Sequence, residues 1–281
     1  MKLVTTTTVT AVLTFATTQA FAENGYFESF EDSSNGYVSW DGAGGGSTIS
    51  VASTGTNGID ATDGANYGLL GPAFTNGTGA FDSFGANGVV FGQGFVAGTD
   101  IYIDLADTAI AAGTYGFDYS IAINNSGGSH AQDNIFHVGA VTATGGGFEV
   151  ALNASHNTDF QLNTFKIDNS PFGTSPMVFT ESGWYTFQVT FTESLTPDSV
   201  DILFEVIDDD GDTFFSASTL SNPAQYTLST AGGDRYGWFN YVDTDSGLAI
   251  DSTFVTAVPE PTSLALLGLG GLMTMRRRHN R

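Results

Sequence analysis

Apolar and polar residues alternate along much of this chain with the two-residue period of a β-strand that buries one face. In "TYGFDYSIAIN" the residues Tyr115, Phe117, Tyr119, Ile121 and Ile123 fall on one side, and Thr114, Gly116, Asp118, Ser120, Ala122 and Asn124 on the other. In "GWYTFQVTFTES" Tyr185, Phe187, Val189 and Phe191 stand opposite Thr186, Gln188 and Thr190. Similar runs occupy Asp100–Leu105, Asn134–Val141, Gly147–Leu152, Ser199–Asp208 and Gly247–Val258, and no sustained helical repeat separates them. Turn-forming pairs punctuate the pattern at Asn57-Gly58, Asp63-Gly64, Asn87-Gly88 and Asp210-Gly211. The 23 Phe residues supply the large apolar area that a core between two sheets needs. Short strands joined by Gly-rich turns predict an all-β fold: a jelly-roll-type antiparallel β-sandwich forming a single domain over residues 23–256.

Charge narrows the function. The 7 Lys and Arg include Lys2 near the start and Arg276, Arg277, Arg278 and Arg281 at the end. That leaves Lys166 and Arg235 against 29 acids between Glu23 and Val258, a net of 27 negative charges. Such a surface repels nucleic acid, so DNA- and RNA-binding functions are excluded. The absence of Cys excludes a disulfide framework and thiolate metal sites. Residues 1–22 read as a secretory signal peptide: Lys2, an apolar Thr-rich stretch, and Ala20-Phe21-Ala22 as the small-x-small cleavage site before Glu23.

The other end, residues 257–281, has three parts: Pro259-Glu260-Pro261, the apolar run Leu264–Met275, and the arginines. The 12-residue run reaches about 18 Å as a helix against about 30 Å of hydrocarbon, short for a permanent span. Arg276, Arg277 and Arg278 would hold its far end on the cytoplasmic side. This order of parts resembles the PEP-CTERM sorting signal of Gram-negative bacteria. The resemblance implies that an exosortase-type membrane protease recognises Pro259-Glu260-Pro261, and that the protein is transiently anchored in the inner membrane before it reaches the cell surface or extracellular matrix. Exopolysaccharide is the expected surrounding there.

A looser resemblance links the body to jelly-roll carbohydrate-binding modules and related concanavalin-like sandwiches. It is carried by "GYFESFEDSSNGYVSW", "GTNGIDATDGANYGLL" and the closing "GLAIDSTFVTAV". It implies a structural calcium held by Glu31 (or Glu28) and Asp251, where the alternative is that these acids face solvent. Calcium takes six to eight oxygens, and an acidic body offers many. Asp208, Asp209, Asp210 and Asp212 begin like a calcium loop, but Thr219 stands where its closing Glu belongs, so the stretch reads as a hairpin turning at Asp210-Gly211.

"SHAQDNIFHVG" offers His130, Asp133 and His137 as a metal set, Asp133 and His137 sharing a strand face that otherwise reads as solvated. His156 is the one other His of the body. Sugar binding asks for exposed rings flanked by amide and carboxyl groups. The pool is Trp40, Trp184, Trp238, Tyr236 and Tyr241, with Trp184 opposite the apolar face of its strand and Arg235, Tyr236, Trp238 and Asn240 together; core packing is the competing use of each ring. No Glu-x-Asp-x-Glu arrangement of concanavalin-like glycosidases and no GxSxG elbow is present, so no catalytic residue is assigned. The expectation is a non-catalytic exported protein that binds or organises polysaccharide; a purely structural acidic matrix protein and a concanavalin-like glycosidase are the alternatives.

Overall fold

The computed structural model describes residues 25–32, 36–41, 49–71, 78–84, 94–125, 129–156, 167, 172–196, 200–220 and 231–258. Residues 1–22, read from sequence as a signal peptide, and the residues from 259 onward lie outside these, as does Asn87-Gly88. Two antiparallel sheets form a sandwich. The first holds β1 (Tyr26–Glu28), β3 (Ile49–Ser53), β4 (Asn66–Leu70), β6 (Gly94–Ile103), β11 (Gly183–Glu193), β12 (Val200–Asp208), β13 (Thr213–Leu220) and β15 (Leu248–Ala257). Its order is β13-β12-β11-β6-β15-β4-β3, with β1 continuing the β4 side of β15. The second runs β10-β9-β8-β7-β14-β5-β2, from β2 (Tyr37–Asp41), β5 (Thr78–Asp82), β7 (Gly116–Asn125), β8 (His130–Thr142), β9 (Phe148–His156), β10 (Met177–Val178) and β14 (Ala231–Asp243).

The alternating faces meet as their pattern requires. Tyr115, Phe117, Tyr119, Ile121 and Ile123 are buried, as are Tyr185, Phe187, Val189 and Phe191 opposite them. Phe136 of the second sheet stands edge-on to both Phe187 and Phe204 of the first, with 5.3 Å between centroids in each pair. Phe239 stacks on Tyr119 at 4.6 Å within the second sheet. Burial of these rings is the main stabilising term.

Turn chemistry follows the sequence at the acidic hairpin. Gly211 takes φ 83°, and its N–H donates to the Asp208 carbonyl at 2.9 Å, closing the turn between β12 and β13. One element escaped the periodicity. The single-turn helix α1 (Thr108–Ala112) is too short for a repeat, yet it carries a start and a stop: the Asp107 side chain accepts from the Ala109 N–H, and Gly113 closes it with φ 74°. Asp107 also accepts from the backbone N–H groups of Asp245 and Ser246, which ties α1 to the turn between β14 and β15.

Candidate functional site

The face of the second sheet that points away from the core is polar, and the strand register sorts it into rows. One row crosses β14, β7, β8 and β9 as Asn240, Asp118, His137 and Asn153. The next runs Trp238, Ser120, Ile135 and Ser155, and a third begins Tyr236, Ala122 and Asp133. The sequence reading of this face as solvated is corrected here: Asp118, Ser120, Asp133, His137, Asn153, Ser155 and Asn240 are each at most 3% exposed. Alternation assigns residues to a face; it does not say whether another part of the chain covers that face. At the β9 end the cover includes Ile167 and Thr174: Asn153 donates Nδ2–H to the Ile167 carbonyl at 2.8 Å and accepts from the Thr174 hydroxyl at 2.8 Å.

Burial demands that these groups satisfy one another. His137 lies between Asp118, 2.8 Å from Nδ1, and Ser155, 2.7 Å from Nε2. An ionised carboxylate only accepts, so in a neutral ring Nδ1–H donates to Asp118 and Nε2 accepts the Ser155 hydroxyl. The order is that of acid, base and nucleophile in acyl transfer, but Ser155 is 2% exposed, which keeps a substrate away from its oxygen. The relay joins three strands. His130 and Asp133 pair separately at 2.8 Å, and among the described residues no three His, Cys, Asp or Glu side chains are grouped to hold a metal ion.

The face becomes accessible at its other end. Asp133 Oδ1 accepts from the Ser120 hydroxyl at 3.1 Å and from the Tyr236 hydroxyl at 3.3 Å, while Oδ2 faces His130 Nε2. Above this buried carboxylate the Tyr236 ring lies nearly parallel to His130, 6.3 Å and 9° apart. It stands edge-on to Trp238 at 6.2 Å and to Phe81 at 6.4 Å. His130 is exposed, and Tyr236, Trp238 and Phe81 are half-buried. Tyr236 and Trp238 reach this edge because they are two apart on β14; Phe81 arrives from β5, paired with Trp238. Chemically, the edge offers partly exposed ring surface over a carboxylate that is itself fully buried.

Of the ligand-binding candidates singled out in sequence, Tyr236, Trp238 and Asn240 thus share this face. Asn240 is buried in its first row, its Oδ1 accepting from the Tyr241 N–H at 3.0 Å. Trp184 lies on the outer face of the other sheet, edge-on to Tyr102 and Tyr67, and donates Nε1–H to the Asp60 carbonyl at 2.7 Å. Its ring packs under the segment leading to β4. The side chains of Trp40 and Arg235 lie outside the described residues.

Glu31 and Asp251 converge on that same segment, residues 62–66. Asp251 Oδ2 accepts from the N–H groups of Thr62 and Asp63, and Oδ1 from Ser252 N–H. Glu31 Oε1 accepts from the N–H groups of Ala65 and Asn66 at 2.7 and 2.8 Å. Glu28 accepts from Phe30 and Gly36. Backbone donors therefore take up carboxylate oxygens that a cation would bind. Burial pushes the Asp251 carboxyl up to about 6, against the opposing pull of those donors, and burial also raises that of Asp100, its register partner on β6. The Thr62 hydroxyl lies 2.9 Å from Asp100 and 3.1 Å from Asp251.

Sequence reasoning missed Asp118, Ser120, Asn153, Ser155 and Phe81. Alternation put Asp118 and Ser120 opposite the core face of their strand, but only pairing across β7, β8 and β9 brings them to His137 and Asp133.

No curated protein sequence matches the chain. Among solved structures it is similar to the CBM2 module of Lactobacillus casei BL23 phage J-1 evolved Dit, at 12% identity and a TM-score of 0.37, covering 83% of this chain and 96% of that one. It is also similar to a protein of unknown function from Shewanella oneidensis MR-1 (13% identity, TM-score 0.33, 83% and 85% covered). The alginate lyase Aly36B matches at 14% identity and a TM-score of 0.32, with 77% and 96% covered. Likenesses this remote bear on neither ligand nor activity. No helix among the described residues is long and apolar enough to cross a membrane. The family profile of the PEP-CTERM protein-sorting motif matches residues 257–279, a span that contains Pro259, Glu260, Pro261, Arg276, Arg277 and Arg278. The chain therefore carries a PEP-CTERM sorting motif and is an exported protein.

Proposed function

We propose that this protein acts at the cell surface or in the extracellular matrix, after an exosortase-type protease has processed its membrane-inserted tail, and that its body binds polysaccharide without catalysis. One observation carries the reading: the rings of His130, Tyr236, Trp238 and Phe81 gather around the buried Asp133 carboxylate. Ring faces suit the apolar faces of sugars, and the buried carboxylate holds Tyr236 and His130 in place beneath them. On this face the two buried carboxylates stand too far apart for the paired-carboxylate chemistry of glycoside hydrolysis. Asp118 pairs with His137, four residues along β8 from Asp133, so the two acids lie about 13 Å apart along the strands. Glycosidases hold their two carboxyl groups about 5–9.5 Å apart.

The test is a binding isotherm of the protein with its host's own exopolysaccharide. Saturable binding is expected, weakened at least about 10-fold in Trp238→Ala and Tyr236→Ala, the equivalent of about 1.4 kcal/mol. Absence of binding, or binding indifferent to both substitutions, would overturn the reading and leave the structural matrix role in its place.

A further inference from the structure

We infer that, during the anchored stage of the proposed function, the body stands upright on the membrane: the end where β15 leaves the first sheet faces the phospholipid headgroups, and Leu195 enters them. The inference rests on the reading that the tail is membrane-inserted, and it adds a second contact made by the body itself.

The tether is short. β15 ends at Ala257, and the Val258 N–H still donates to the Gly94 carbonyl at 3.0 Å, so the sheet holds the chain up to residue 258. The apolar run begins at Leu264. The residue steps from Val258 to Leu264 reach about 20 Å at most. β15 itself has 10 residues, a length of about 30 Å. An inverted body, with the start of β15 against the lipid, would carry Val258 about 30 Å away, beyond the reach of that tether. The end level with Val258 must therefore stay near the membrane, and the body either stands on it or lies flat.

Register identifies what that end presents. Ala257 pairs with Phe95, Gly94 with Thr192, and Glu193 with Val200, so the turn between β11 and β12 projects there. Its Leu195 is fully exposed, whereas the other exposed large apolar side chains among the described residues are between 40% and 48% exposed. Two strand spacings, about 10 Å, separate that turn from β15. A leucine that leaves water for the boundary between headgroups and acyl chains is stabilised there.

Charge opposes lying flat. At the Val258 end the described strands of the first sheet carry Glu193 and Asp201. The opposite end carries Asp208, Asp209, Asp210 and Asp212 in the hairpin between β12 and β13, and Asp243 and Asp245 where β14 turns into β15. The field of an anionic surface decays over about 8 Å at physiological ionic strength, so an upright body holds the acidic end outside it and a flat one brings that end toward it.

The experiment uses the exported precursor with its tail intact, taken from a host lacking the exosortase-type protease, in vesicles of phosphatidylethanolamine and phosphatidylglycerol that carry a headgroup spin label. The chain has no Cys, so a fluorophore can be attached at one chosen position. Thr196→Cys places it beside Leu195, and Gly145→Cys places it in the exposed turn between β8 and β9, at the opposite end. Emission at 196 should be quenched and emission at 145 retained. Leu195→Ser, a change at a fully exposed position that leaves the fold intact, should restore part of the emission at 196. Equal quenching of the two probes, stronger quenching at 145, or no quenching of either in bound precursor overturns the inference and leaves the anchored tail standing, as does quenching at 196 that Leu195→Ser does not change. Precursor that does not bind the vesicles removes the anchored stage and the inference with it.

Discussion

Asp82 gives the sharpest physical test of the structure. It ends β5 in the second sheet, is fully buried, and accepts from the Tyr26 hydroxyl of β1, in the first sheet, at 2.5 Å, and from the Phe84 N–H at 2.8 Å. Burial pushes its carboxyl from 3.8 up to about 6, more than these two hydrogen bonds pull it down. The folded value thus lies above the unfolded value of about 3.9, so the folded state binds more protons between them and stability must rise as pH falls through 6. At about 1.4 kcal/mol per pH unit, the ionised group at neutral pH forgoes about 3 kcal/mol relative to its protonated form. About 2 kcal/mol of that is regained between pH 7.5 and 4.5. Asp82→Asn keeps an acceptor for Phe84 and offers an N–H to the Tyr26 oxygen, but has no proton to take up. Urea unfolding of both proteins at the two pH values reads the difference, in which every other carboxylate cancels. Wild type should gain about 2 kcal/mol on the variant as pH falls. A difference that stays constant within about 0.5 kcal/mol, or moves the other way, would refute the argument.

Three further outcomes follow from close contacts. A Cβ on Gly79 of β5 would sit 1.6 Å from the Phe239 carbonyl oxygen, so Gly79→Ala must force β5 off β14 and should cost at least about 3 kcal/mol, whereas Gly145→Ala meets nothing within 4 Å and should shift the melting temperature little. Trp184→Ala should lower stability by about 2 kcal/mol through lost contact with Tyr102 and Tyr67, yet leave polysaccharide affinity unchanged; a loss of affinity would show that the first sheet contributes to binding. Because backbone N–H groups take up Asp251 and Glu31 oxygens, a calcium chelator should leave the melting temperature unchanged, and a clear drop would mean that an ion shares the 62–66 segment.

Local chemistry alone determined much of this protein. Alternation in Tyr115–Asn124 and Gly183–Glu193 identified strands and their core faces, because a pleated strand sends neighbours to opposite sides whatever it pairs with. Asp210-Gly211 identified a hairpin, because the turn needs a residue that tolerates positive φ. The tail is read as a linear motif and needed no fold. Only the tertiary structure could decide the rest. That Asp118, His137 and Ser155 form one relay depends on the register of β7, β8 and β9, which brings together residues 18 and 19 positions apart. That Trp184 packs on tyrosines while Tyr236 and Trp238 are half-buried above a buried carboxylate depends on which sheet each strand joined and on what covers it. All three rings stand opposite the core in their own strands, and alternation cannot distinguish an outer face that is open from one that is covered.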